Sequence, residues 1–99
     1  MIRKFKKEDA KHVASLIKQL TSNIVKPDSL EKRLEEIVED NNTQYFVAEI
    51  DNKIVGFAGL CWYTIPSKGL MAWVEELIVD EKIRGKGIGK SLMNELINL

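Results

Sequence analysis

The sequence has one cysteine, two prolines and no excess of charge of either sign. The lone Cys61 cannot form a disulfide within the chain and is typical of a reducing compartment, so we expect a cytoplasmic protein. The 15 basic and 15 acidic residues give a formal net charge of zero, which argues against binding nucleic acid or a membrane surface through bulk charge. No apolar run could span a bilayer, and the basic N-terminus leads into Glu8 and Asp9 instead of an apolar signal segment.

The length of 99 residues predicts a single domain, residues 1–99. Apolar residues recur at helical spacing in some segments, and β-branched residues cluster in others. The predicted elements are a strand at 2–5, a helix from 8 to about 21, a helix from about 28 to 40, strands at 44–50, 54–63 and 70–79, and a helix from about 88. This β-α-α-β-β-β-α order indicates an α+β (mixed α/β) fold whose helices cover a sheet.

The two early helices have recognisable ends. Acidic residues open the first, which we expect to stop near Thr21–Asn23, and Asp28 or Ser29 is the candidate cap of the second. The apolar spacing of the second helix predicts that Val38 faces inward, before Asp40–Asn42 ends the helix. The inward residues predicted for the first helix are Ala10, Val13, Ile17 and Leu20.

Turn residues and glycines divide the central strands. Asp51–Lys53 predicts a hairpin, because Asp and Asn tolerate positive φ in tight turns. Gly56 and Gly59 lie inside the strand that follows. Glycine within a strand predicts either a bulge or close packing against a helix.

Residues 77–93 combine a strand end, a charged loop, three alternate glycines and a helix. Glycines between a strand and a helix let backbone N–H groups approach an anion, and a helix N-terminus adds unpaired donors. Arg84 and Lys86 add positive charge, so a phosphate is the expected ligand. The helix would pack through an apolar stripe of Ile88, Leu92, Leu96 and Ile97.

Two common phosphate motifs do not fit this segment. The P-loop pattern ends correctly at Gly89-Lys90-Ser91, but it requires glycine where Arg84 stands. The dinucleotide pattern would require glycine at Lys90. Both motifs also open a βαβ unit, for which the sequence to Leu99 leaves no return strand.

The spacing that does fit is Arg-x-x-Gly-x-Gly, filled by Arg84, Gly87 and Gly89. With the strand before it and the helix after it, this segment resembles the acetyl-CoA pyrophosphate loop of the GNAT superfamily of N-acetyltransferases. The element order also resembles the N-terminal part of the GNAT fold. The resemblance implies acetyl-CoA as co-substrate and no metal. The cofactor-binding residues that it implies are Leu77, Ile78 and Val79 for the pantetheine and acetyl group, and Arg84, Gly85, Lys86, Gly87, Ile88, Gly89 and Lys90 for the pyrophosphate.

The family normally continues into a fifth strand and further elements, which this sequence lacks. The strand at 70–79 would then be a long apolar sheet edge, which another chain covers unless the sequence is a fragment. We expect a homodimer through this edge. Glu81 and Ile83 depart from the proline and the aromatic residue frequent in the family, but neither touches the glycines.

Acetyl transfer to an amine requires a base, because alkylammonium groups have a pKa near 10. Glu75 is the candidate: the family often has a glutamate at this place, and strand alternation predicts that it shares a face with Leu77 and Val79. Glu76 is next in line and should point to the opposite face. The alternative is that both are solvated carboxylates.

Other residues with reactive or aromatic side chains carry less weight. Cys61 has no evident His partner, and His12 has no second metal ligand, so structural or surface roles are expected. Trp62, Tyr63 and Trp73 could line an acceptor pocket or simply pack. The sequence therefore predicts an N-acetyltransferase that acts on a primary amine, with acceptor unknown; the alternative is an incomplete domain that binds CoA or associates with another chain.

Overall fold

The structure is a computed structural model that describes residues 1–20 and 29–98. Four antiparallel strands form one sheet in the order β1-β2-β3-β4. The described elements are β1 (Ile2–Lys4), α1 (Ala10–Leu20), α2 (Leu30–Ile37), β2 (Thr43–Ile50), β3 (Lys53–Ile65), β4 (Gly69–Val79) and α3 (Ile88–Ile97), with 3₁₀ turns at Lys7–Asp9 and Glu81–Ile83. The predicted element order and the α+β class are confirmed.

Helices α1 and α2 cover one face of the sheet. Val13 and Ile17 of α1 are buried against Phe57 of β3, and Phe57 contacts the ring of Phe5 edge-on at 5.3 Å between centroids. Burial of each such side chain contributes about 1.5–3 kcal/mol. The predicted inward face of α1 is confirmed. The prediction that Val38 faces inward is wrong. Helix α2 ends at Ile37, so Val38 is its C-cap, and its side chain is 43% exposed.

Helix α3 covers the opposite face. Leu92 and Leu96 are buried against β2 and β3, and Gly56 makes the approach close, since a Cβ there would lie 3.0 Å from Leu92 Cδ1. The predicted close packing of a strand glycine against a helix is confirmed. Ile97, predicted to belong to the apolar stripe of this helix, is 73% exposed.

The turns are partly as predicted. Asp51 and Asn52 have φ of 51° and 64°, and Ile50 pairs with Lys53, so the predicted hairpin is confirmed. Ser29 stands at the N-cap of α2 without a side-chain capping bond. The predicted end of α1 at 21–23 and the alternative cap Asp28 lie outside the described residues.

Ion pairs of Arg3 connect the β1 edge to neighbouring elements. Arg3 donates from Nη1 and Nη2 to the two carboxylate oxygens of Asp9, at 2.8 and 2.9 Å, and from Nε to Glu49 at 3.3 Å. The backbone N–H of Lys6 also donates to Asp9, at 2.8 Å. Hydrogen bonding from Arg3 lowers the pKa of the buried Asp9 carboxyl, and the same bond raises the pKa of Arg3. The contact joins β1, the turn before α1 and β2.

Among the described helices, none is long and apolar enough to cross a membrane.

Candidate active site

A bulge interrupts β4 where the sequence predicts the chemistry. Phe57 of β3 pairs with Ile78 and Gly59 pairs with Glu75, so Ala58 alone lies opposite both Glu76 and Leu77. Glu76 has a φ of 57°, in the left-handed region. A residue in that conformation at a bulge is usually glycine, and a side chain there costs roughly 1 kcal/mol.

The bulge changes which face each side chain takes. Glu75 pairs with Gly59 and lies on the α1–α2 side, whereas Leu77 and Val79 lie on the α3 side with the glycine loop. The prediction that Glu75 shares a face with these two residues is wrong, because the extra residue of the bulge shifts the alternation by one. The prediction that Glu76 points away from Glu75 is also wrong: Glu76 lines a depression with Phe57 and α2, on the same side.

The loop after β4 is built by short local bonds. The Asp80 N–H donates to the Val55 carbonyl at 2.8 Å, and the Asp80 carboxylate accepts from the Lys82 N–H at 3.0 Å. Arg84 Nε donates to the Val79 carbonyl at 3.3 Å, so the guanidinium is held beside the strand end. Gly87 is the N-cap of α3.

Gly85 and Gly87 have φ of 88° and 81°, and no atom of the described part of the chain lies within 4 Å of where a Cβ would stand on either. Their conformation favours glycine, and the space in front of them is open. Gly89 differs: it is helical, and a Cβ there would make an ordinary 3.7 Å contact with Val79. Of the three predicted glycines, Gly85 and Gly87 are therefore required by backbone conformation, whereas neither conformation nor space requires glycine at 89.

A depression of about 450 Å³ opens in front of this loop. Among the described residues, its lining includes the cations of Arg84 and Lys90 and no carboxylate. It brings together most of the predicted cofactor-binding residues; two are not in its lining, since Ile78 packs on the α1–α2 side and Lys86 is an exposed side chain beyond the rim. The lining is Leu77, Val79, Ile83, Arg84, Gly85, Gly87, Ile88, Gly89 and Lys90. Open space, backbone turned by glycine and two cationic side chains suit the phosphate end of a nucleotide.

On the α1–α2 side of β4, the carboxylates of Glu75 and Glu76 lie near two weakly acidic groups, the Cys61 thiol and the Tyr45 hydroxyl. Cys61 Sγ lies 3.6 Å from Glu75 Oε1 and donates to it. Burial and this contact raise the pKa of Cys61. Burial, with the nearby charges of Glu75 and Glu76, raises the pKa of Tyr45 to about 12. Both groups are therefore protonated at neutral pH, and a thiol with a raised pKa is a poor nucleophile, as expected for Cys61.

A second, smaller depression lies on this side and was not predicted from the sequence. It measures about 220 Å³ and is lined by Ile17, Leu30, Arg33, Leu34, Ile37, Tyr45, Phe57 and Glu76. The available signal was Gly59, the strand glycine opposite Tyr45: a Cβ at Gly59 would overlap the Tyr45 ring, so this glycine makes room for an aromatic floor.

The remaining candidates lie elsewhere. His12 lines an open polar depression with Arg3 and Asp9, and no group of three or more metal-ligating side chains occurs among residues 1–20 and 29–98. Trp73 Nε1 donates to Tyr63 Oη at 2.9 Å on the exposed far end of the β3–β4 hairpin. Trp62 pairs with Ala72, and its side chain takes the other face of the sheet.

Three relatives place this geometry in context. An uncharacterized N-acetyltransferase of Methanocaldococcus jannaschii is 40% identical over 55 residues, which are 54% of this chain and 24% of that protein. The ribosomal-protein-alanine N-acetyltransferase of Brucella melitensis biovar Abortus 2308 is 26% identical, with a TM-score of 0.78 over 99% of this chain and 69% of its own. A predicted acetyltransferase of Clostridium acetobutylicum, whose crystal structure was determined with acetyl-CoA, is 20% identical, with a TM-score of 0.80 over 99% of this chain and 71% of its own.

The chain thus spans about a quarter of the length of its curated relative and about 70% of these solved structures. Residues 11–99 match the family model described as acetyltransferase (GNAT) family. That match includes both helical layers, β2 to β4, the bulge and the glycine loop. The chain belongs to the GNAT acetyltransferase family.

Proposed function

We propose that this chain binds acetyl-CoA and transfers its acetyl group to a primary amine. The observation that carries the proposal is the depression on the α3 side of β4, which has open space in front of Gly85 and Gly87 and whose charged lining, within residues 1–20 and 29–98, is cationic only. The carboxylates Glu75 and Glu76 lie on the other side of the same strand. The relative solved with acetyl-CoA has the same fold.

Acetyl-CoA and the catalytic carboxylates would lie on opposite sides of β4. Backbone N–H groups from Gly85 to Lys90 would bind the pyrophosphate, with Arg84 and Lys90 adding charge. Backbone groups of Leu77–Val79 would hold the pantetheine and the acetyl carbonyl. The extra residue of the bulge makes the backbone of this stretch irregular. Backbone N–H groups there can then donate to a ligand instead of to a neighbouring strand.

Glu75 would act as the general base. It would take a proton from the ammonium, directly or through water, and the neutral amine nitrogen would then attack the thioester carbon. The tetrahedral intermediate would collapse to an amide as the C–S bond breaks, and the proton that the nitrogen still has to lose would neutralise the departing thiolate of CoA. A backbone N–H near the bulge could stabilise the oxyanion by roughly 3 kcal/mol.

Titration calorimetry with acetyl-CoA tests the cofactor site. Gly87→Val should weaken binding at least tenfold, because the side chain would occupy the space in front of the loop. Valine at a φ of 81° is strained as well, so the fold cannot be assumed unchanged. Gly69→Val is the matched control, since Gly69 has a φ of 82° and open space but lies at the start of β4, remote from the loop.

Equal weakening in both variants would mean that strain, and not the loop, determines affinity. Unchanged affinity in a folded Gly87→Val protein would reject the assignment.

A second function is favoured by the exposed edge of β4. Leu70, Trp73 and Leu77 are 68%, 52% and 47% exposed on this edge strand. An apolar edge of this length invites pairing with another strand. The second candidate is therefore an association module, a homodimer through β4, that binds CoA without catalysis.

A further inference from the structure

We propose that the acceptor is a primary amine carrying a compact apolar group, an aromatic ring or a branched alkyl chain, that enters the depression between α2 and β4. This inference rests on the proposed acetyl transfer and names the class of its second substrate. The ammonium would lie at the mouth beside Glu76, close to Glu75 on the same strand, and the apolar group would lie against Tyr45, whose ring stacks on the fully buried Phe57.

The depression has the size and lining for such a group. Its volume is about 220 Å³, and Leu34 and Ile37 of α2 form an apolar wall. A cavity of about 150 Å³ lined by similar residues can hold benzene. A six-membered ring or a branched chain of similar size therefore fits, whereas a polyhydroxylated or charged group would lose its hydration without gaining partners.

The aromatic floor of the depression is preorganised before any ligand binds. Tyr45 and Phe57 stack with centroids 5.0 Å apart and ring planes 13° from parallel. Tyr45 is held down over Gly59, where only a missing Cβ leaves room for the ring. Because these rings are already packed, a ligand would not need to order them, which lowers the cost of binding.

The charges at the mouth favour a cation. Glu76 lines the depression, and Glu75 precedes it on the strand, with its carboxylate beside the Cys61 thiol. Arg33 of α2 is the opposing charge at the rim. Among the described residues, two carboxylates and one guanidinium lie there, and this excess of negative charge complements an ammonium and repels a phosphate or carboxylate group.

The Tyr63–Trp73 pair is the competing apolar surface on this side. It is exposed, and the Trp73 N–H is already used by the Tyr63 oxygen. A group bound to this exposed pair of rings would remain largely in water, whereas a concave site removes a bound group from water. The depression is therefore the better acceptor site, and the aromatic pair provides a control.

Binding of two primary amines, 2-phenylethylamine and ethanolamine, measured by NMR shift perturbation in the full chain, tests this inference. We expect 2-phenylethylamine to bind at least tenfold more tightly and to shift the methyl signals of Leu34 and Ile37. Glu76→Gln should weaken its binding about tenfold by removing the charged partner. Glu81→Gln, which removes an exposed carboxylate in the loop after β4, should leave it unchanged. Ile37→Phe, which narrows the depression at a half-buried position, should also reduce it tenfold or more.

Trp73→Ala distinguishes the two apolar surfaces and should have no effect. Equal binding of the two amines, no detectable binding of either, or loss of binding in Trp73→Ala would each overturn the inference. Acetyl-CoA titration of the same samples keeps the two proposals apart: CoA binding without amine preference rejects the acceptor class alone. Amine preference without CoA binding rejects the acetyl transfer on which the acceptor role depends.

Discussion

The two edges of the sheet differ in length, charge and exposure. The β1 edge is three residues long, and Arg3 ties it to Asp9 and Glu49 through hydrogen-bonded ion pairs. The β4 edge is eleven residues long, largely exposed, and broken by a bulge at Glu76. Short, charged edges resist unwanted pairing, whereas a long apolar edge invites it.

The residues that stabilise the fold through ion pairs and the candidate site residues lie at opposite edges of the sheet. The β1 edge joins elements that are distant in sequence and has no candidate site residue. Every candidate cofactor residue and both carboxylates belong to β4 or to the loop and helix that follow it. We therefore expect substitutions at β1 to change the free energy of unfolding and substitutions at β4 to change binding, turnover or assembly.

The largest expected effect is on turnover. Glu75→Gln should lower the rate of amine acetylation at neutral pH by about 10²-fold or more, with little change in acetyl-CoA affinity or thermal midpoint. Steady-state rates over a panel of primary amines check this, with Glu81→Gln as a matched control. The loss should shrink at high pH, where the amine deprotonates without help. A variant as fast as wild type at pH 7 would make Glu75 a solvated carboxylate only.

The next largest effect is on stability at the other edge. Asp9→Asn should lower the free energy of unfolding by about 2 kcal/mol at pH 7, because it leaves a partly buried guanidinium without its bidentate partner. Urea unfolding measures the difference. Glu49→Gln is the control and should cost less, since its contact with Arg3 is a single, longer bond at 3.3 Å. Acetyl-CoA affinity should not change in either variant.

The stability contributed by Asp9 depends on pH with a definite sign. Its pKa is lower in the folded state than in the unfolded chain, because Arg3 hydrogen-bonds the carboxylate. The folded state therefore binds fewer protons, and the contribution is complete above the unfolded value, roughly 4, and is lost as the pH falls through the folded value. Wild type and Asp9→Asn should become closer in stability at acid pH. A difference that grows on acidification would contradict this assignment.

The smallest expected effect is on assembly. Trp73→Lys should weaken a β4-mediated homodimer about tenfold, because it places a charge on the exposed edge strand. Sedimentation at micromolar concentrations measures the mass. Ile97→Lys is the control, on an exposed position of α3 away from the edge. A lysine at Ile78 would not serve as a second test, because Ile78 packs against the α1–α2 core and the substitution would report on folding instead. A wild-type monomer at every concentration would reject the dimer.

The fold was largely predictable because its signals are local. The apolar spacing of α1 and the Asp51–Asn52 turn each depend on a few neighbouring residues. The predictions failed at helix ends: Val38 is the C-cap of α2 and Ile97 is the last residue of α3, and both have the right spacing but are exposed. A pattern of spacing does not show where the opposing layer stops.

The site was less predictable because its geometry depends on pairing between strands. The faces of Glu75 and Glu76 follow from one extra residue opposite Ala58, and nothing in a glutamate pair predicts a left-handed backbone. The apolar depression brings together residues from α1, α2, β2, β3 and β4. The glycine loop, by contrast, was predictable because all of its residues are contiguous in sequence.

Gly59 and Tyr45 each restrict which residue can stand at the other position. They are cross-strand partners, and the ring of one fills the space that a side chain on the other would need. Any side chain at 59 must displace the ring, and a smaller residue at 45 would leave a void above the glycine. The pair should therefore be inherited together, so that divergence in one lineage of this chain alters both positions or neither.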